Sequence, residues 1–151
     1  MEDQRKKTLS VLEDLIEINN DGNEGYKTAA DDIDNPAYKT LFYSYAQQRA
    51  TFAAELKREA ELLGRDPDSD ESFLGAIHRG WINIKSAFTS GGSEAILAEC
   101  ETGDKAALET YEEVLAEPLP ANIESLVRAQ HQSILEAYTK IKTFKNVSAQ
   151  S

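Results

Sequence analysis

One run of this chain limits its possible folds more than any other. From Leu9 to Ile33, the residues Leu9, Leu12, Ile16, Asn19, Asn23, Tyr26, Ala30 and Ile33 recur at spacings of three and four. That period lines one face of an α-helix; a strand would bring every second residue to one face. A long helix that is apolar along one stripe must bury the stripe against partner helices. Here the stripe carries Asn19 and Asn23 at its centre, where a bundle ordinarily buries aliphatic side chains.

The helical period continues along the chain. The first helix ends near Asp34, and Asn35 followed by Pro36 reads as an N-cap with proline at the first helical position. The second helix runs to about Leu63 with Tyr38, Leu41, Tyr45, Gln48, Phe52, Leu56 and Leu63 facing inward, and Gly64 stops it. The short link makes the two helices an antiparallel hairpin. Residues 65–71, Arg-Asp-Pro-Asp-Ser-Asp-Glu, read as a loop. A shorter helix with Phe73, Ile77, Trp81, Ile84 and Phe88 on one face follows, broken at Gly91-Gly92, and Ser93 caps the next. That helix carries Ile96, Cys100, Gly103, Ala107, Tyr111 and Val114 inward until Pro118 and Pro120 end it. The last runs from about Ala121 to Phe144, with Ile123, Val127, Ile134, Tyr138 and Ile141 inward and a frayed polar tail. No stretch alternates with a period of two, so no strands are expected. The reading is an all-α single domain over residues 1–151. It has two antiparallel helix hairpins joined by a long crossover carrying an extra helix, which is the ferritin-like four-helix-bundle topology.

Composition narrows the function classes. The chain has 151 residues and is 40% hydrophobic, enough for one sizeable core and too apolar for disorder. Its net charge of −11 argues against binding nucleic acid or an anionic membrane. No apolar run approaches the ~20 residues needed to span a bilayer, and the charged N-terminus lacks an apolar signal core. A cytoplasmic location is inferred. Cys100 is the single cysteine, flanked by Glu99 and Glu101, and reads as a buried structural thiol. Glu109, Glu112, Glu113 and Glu117 form an acidic strip that reads as a solvated face. No nucleophile elbow or phosphate-binding loop is present.

Polar interruptions at mid-helix positions are where ferritin-like bundles hold a di-metal centre, with Glu from two helices and Glu-x-x-His from two others. Laid on this chain, that template puts Asn19 at the first Glu place, Gln48 and Thr51 at the next Glu and His places, and Arg128 and His131 at the last pair. Glu101 is the best acid of the third long helix and Asp104 the second. Amides are poor ligands for a dication and Arg128 repels one. The expectation is a hydrogen-bonded polar layer made by Asn19, Gln48, Thr51, Glu101, Arg128 and His131. It would hold no metal, with Arg128 paired to Glu101 or Asp104. If a metal binds, Glu101 and His131 are its ligands and iron the candidate.

Particular segments carry a family resemblance: Asn20-Asp21-Gly22 with Gly25-Tyr26, Arg49-x-x-Phe52, Glu55-Leu56, His78-Arg79-Gly80-Trp81, Glu99-Cys100-Glu101-x-Gly103, and Tyr111-Glu112-Glu113. Over about residues 9 to 145 the chain resembles a bacterial family of ferritin-like bundles described only as a domain of unknown function, near the YciF/YciE type of stress-associated protein. The resemblance implies a homodimer and a redox or stress role. His78, Arg79 and Trp81 read either as a binding motif for an anionic or aromatic ligand or as packing, with Trp81 buried as a plug. The functional expectation is a non-catalytic bundle acting through assembly or partner binding. The alternative is a di-metal oxidoreductase or iron-handling protein with atypical ligands.

Overall fold

The computed structural model describes residues 2–65, 81 and 92–150. The described residues form four α-helices: α1 (Glu2–Asp32), α2 (Pro36–Leu62), α3 (Gly92–Leu115) and α4 (Ala121–Gln150). They contain no strand. The expected crossover helix, with Ile77, Ile84 and Phe88, lies outside the described residues, as do His78 and Arg79.

Local chemistry sets the boundaries. The Asn35 side chain accepts hydrogen bonds from the backbone amides of Ala37 at 2.9 Å and Tyr38 at 3.2 Å, and Pro36 opens α2 behind this cap. At the other end of α2, Gly64 adopts a φ of 106°. Its amide donates to Glu61 O, and the Arg65 amide donates to Ala60 O at 2.9 Å. This is the paired 5→2 and 6→1 closure of a Schellman motif, which needs a left-handed residue where glycine stands. The last helix departs from expectation. It continues past Phe144 to Gln150, because the tail contains no glycine or proline to end it. In addition, Lys145 Nζ is held by Glu101 at 2.9 Å.

Side-chain pairs give the relative directions. α1 and α2 are antiparallel, since Asn19 meets Arg49 while Arg5 reaches Leu63. α3 and α4 are antiparallel, with Tyr111 against Gln130 and Glu101 against Lys145. α1 and α3 are antiparallel too, through Asn19–Tyr111 and Tyr26–Asp104. It follows that α2 and α3 run in the same direction. The end of α2 and the start of α3 therefore lie at opposite ends of a bundle whose 24-residue α3 alone spans about 36 Å. α1 packs chiefly on α2 and also on α3, α3 packs on α4, and α2 and α4 touch little.

The interior divides into two clusters. One joins Leu12, Leu15, Ile16, Leu56, Val127 and Ile134 with their neighbours. The other joins Tyr26, Phe42, Trp81, Ile96, Cys100 and Ile141. Between the two lie the buried polar residues Asn19, Arg49 and Asp104.

Candidate functional site

Helix phase decides which polar residue enters the interior. In α2 the buried positions are Phe42, Ala46, Arg49, Ala53, Leu56 and Ala60. The inward stripe is therefore centred next to the one expected from Tyr38, Tyr45 and Phe52, which lie at its half-buried margin. This rotation places Arg49, not Gln48, at the centre of the bundle. In α4 the buried series runs through Ile123, Val127, Gln130, Ile134, Ala137 and Ile141, so Gln130 points inward.

The resulting cluster is closed and fully bonded. Arg49, 2% exposed, donates from Nε to Asn19 Oδ1 at 2.8 Å, from Nη1 to Asp104 Oδ1 at 3.1 Å and from Nη2 to Ile18 O at 3.3 Å. Asn19 Nδ2 donates to Leu15 O and to the Tyr111 hydroxyl. Tyr111 in turn donates to Gln130 Oε1 at 2.7 Å. Gln130 Nε2 donates to Glu55 Oε1 at 3.1 Å, which carries the chain of bonds to the bundle surface. On the other side, the Tyr26 hydroxyl donates to Asp104 Oδ2 at 2.5 Å. All four helices contribute.

Glycine makes room for the two largest buried groups. A Cβ on Gly22 would stand 2.6 Å from Arg49 Cζ, so the guanidinium lies directly on the α1 backbone. A Cβ on Gly25 would meet the Trp81 ring at 2.3 Å, and one on Gly103 would meet it at 2.1 Å. The indole is thus seated in a slot between α1 and α3, 2% exposed, beside Tyr26 at 5.1 Å between centroids. Trp81 Nε1 finds no acceptor among the described residues.

Burial dominates the electrostatics. It pushes the Asp104 carboxyl up to about 6, while Arg49 and the Tyr26 hydroxyl pull it back down. Asp104 is therefore ionised at neutral pH and balances Arg49. Burial raises the Tyr26 phenol well above its ordinary value, reinforced by the Asp104 charge, and raises Tyr111 and the Cys100 thiol in the same direction.

The residues singled out from the sequence fall in different places. Asn19 and Asp104 lie in the cluster. Gln48 is half-buried and Thr51 exposed on α2. Glu101 pairs with Lys145. Arg128 is exposed and pairs with Glu124 on its own helix at 2.9 Å, so it meets neither Glu101 nor Asp104. His131 lies 3.3 Å from Glu112 at the rim of an open surface pocket of about 580 Å³ that Arg128 also lines. Among the described residues, no three His, Cys, Asp or Glu side chains converge as metal ligands do, and no helix is long and apolar enough to cross a membrane. Sequence reasoning passed over Arg49, Gln130 and Tyr111 as members of a polar site. A signal for Arg49 was present: it continues the Phe42, Ala46, Ala53 series at spacings of three and four.

A family model described as "Domain of unknown function (DUF2383)" matches residues 7–117, which takes in most of α1 and all of α2 and α3. No curated protein matches the chain.

Proposed function

The chain belongs to the DUF2383 family, and on that premise we propose that it is a non-catalytic, ferritin-like bundle that works through assembly or partner binding. A homodimer, a cytoplasmic location and a role in bacterial stress complete the proposal. The parallel course of α2 and α3, which sets the end of one and the start of the other at opposite ends of the bundle, supports the ferritin-like reading.

One observation carries the functional part: Arg49 stands, fully bonded, in the buried polar layer midway along the bundle. Its charge is balanced by Asp104, and every polar atom of its guanidinium faces a partner. A di-metal centre needs several carboxylates converging from the helices. The donor set here is one carboxylate, two amides, two phenols and a cation, and it does not fit such a centre. The cation supplied by Arg49 takes over the electrostatic task that the sequence suggested for Arg128. It also fixes how the helices meet, as buried polar residues do in coiled coils.

Native mass spectrometry with metal quantification tests this on the purified chain. The expected result is a dimer mass without transition metal, and a melting temperature unchanged by chelator. A tightly held metal pair per chain would overturn the proposal and put a di-metal oxidoreductase in its place.

A further inference from the structure

The aromatic half of the core holds a phenol whose surroundings differ from those of the other buried rings among the described residues. Tyr26, 1% exposed, touches Trp81 at 5.1 Å, Tyr45 at 5.3 Å and Phe42 at 5.7 Å between centroids. Its hydroxyl donates to Asp104 Oδ2, and Arg49 holds the other carboxylate oxygen. Tyr111 is equally buried, but its hydroxyl donates to the amide oxygen of Gln130, which has no use for a proton. Tyr45 is half-buried and reaches from this cluster toward the surface.

We propose that Tyr26 is a one-electron redox site, giving an electron to an external high-potential oxidant while its proton passes to Asp104, with Tyr45 and Trp81 as the rings through which the electron vacancy arrives. The balance is simple. The oxidant, a metal complex or radical of the one-electron class, gains one electron. The O–H bond of Tyr26 breaks, its proton forms a bond to Asp104 Oδ2, and a neutral phenoxyl radical and a carboxylic acid remain. Reduction reverses both transfers.

Geometry favours Tyr26 as the resting place of the vacancy. A phenol that has lost an electron is a strong acid, so a base already hydrogen-bonded to it removes the proton without rearrangement. Among the described residues Trp81 Nε1 has no such partner, so Tyr26 is the ring of this cluster seen paired with a carboxylate base. Cys100 shares the cluster, but burial and the nearby Asp104 and Glu99 carboxylates keep its thiol protonated. On the surface, Tyr43 also donates to a carboxylate, that of Asp31, but it is 44% exposed and open to solvent quenching.

The test uses the full chain carrying Tyr43→Phe, with tris(bipyridine)ruthenium(III) generated by a light flash in the presence of a sacrificial acceptor. Paramagnetic resonance should show a long-lived neutral tyrosyl radical. Tyr26→Phe should abolish it and Tyr111→Phe should leave it. Asp104→Asn keeps the shape but removes the base, and should slow radical formation by roughly 100-fold or more. No radical, a radical that survives Tyr26→Phe, or one lost in Tyr111→Phe overturns the proposal. If Tyr26→Phe fails to fold, the rate decides: formation as fast in Asp104→Asn as in the parent also overturns it.

Discussion

The two halves of the bundle interior solve the packing problem differently. On one side of the polar layer the core is mainly branched aliphatic, with Leu12, Leu15, Ile16, Leu56 and Val127 meeting across the helices. On the other side it is built around rings: Tyr26, Phe42 and Trp81, with Tyr38, Tyr45 and Phe144 at the margin. Aliphatic chains of similar size interdigitate between helices at ordinary spacing. An indole does not, so Gly25 and Gly103 withdraw their side chains to admit it. Each helix glycine costs about 1 kcal/mol against alanine, and the burial of one large ring offsets both. The aliphatic half is thus a generic core, whereas the aromatic half depends on a few matched positions.

The difference can be broken most directly at Trp81. Trp81→Ala should cost about 3–5 kcal/mol in denaturant unfolding, because a slot walled by two helix backbones collapses poorly. Gly103→Ala should reproduce part of that loss from the opposite side, about 1–3 kcal/mol. A loss well under ~1 kcal/mol for Trp81→Ala would show that the rings do not carry the aromatic half.

The layer between the halves is tested by its charges. Removing Asp104 as Asp104→Ala should cost about 3–5 kcal/mol, because the Arg49 guanidinium and the Tyr26 hydroxyl both stay buried without the acceptor they share. Combining it with Arg49→Met should restore part of that loss, giving a coupling energy in a double-mutant cycle. Additive losses would mean that the ion pair is not a unit.

Titration sharpens the same point. The folded Asp104 carboxyl titrates near 6, above its ordinary value of 3.8, so folding favours its protonated form. Its contribution to stability is therefore fully present below about pH 4 and is lost as pH rises through about 6. Over that window the parent should lose about 3 kcal/mol relative to Asp104→Asn in urea unfolding. Parallel curves for the two proteins would refute this. The smallest effect belongs to Arg128, whose exposed pair with Glu124 should be worth under about 0.5 kcal/mol in Arg128→Ala.

How much of this was legible follows from what marks a helix face. In α1 and α3 the buried stripes carry large apolar residues, so Ile16, Tyr26, Ile96 and Tyr111 reveal the phase. In α2 the centre of the stripe is made of Ala46, Ala53 and Ala60, while Tyr38, Leu41, Tyr45 and Phe52 flank it. Hydropathy follows the bulky flank, and the face reads one position away from its true centre. A fully buried arginine is also rare enough that a pattern search passes over it. The Asn35 cap and the Gly64 stop were plain because they depend on local backbone chemistry. Asn19 was visible as a break in an otherwise apolar stripe, whereas Gln130 lay in α4 between Arg128 and His131, whose charge drew attention first.

The bonds of the polar layer also differ in what they cost the folding chain. Within each hairpin the partners are near in sequence: Asn19 and Arg49 are 30 residues apart, Tyr111 and Gln130 only 19. The bonds that join one hairpin to the other span 78 residues for Tyr26–Asp104 and 92 for Asn19–Tyr111. Chain entropy must be given up before contacts of that separation return anything. Closing either hairpin therefore costs less chain entropy than joining the two, and the Tyr26–Asp104 and Asn19–Tyr111 bonds are the ones whose separation sets the larger cost. The polar layer is thus where the two hairpins of the chain are made to recognise each other.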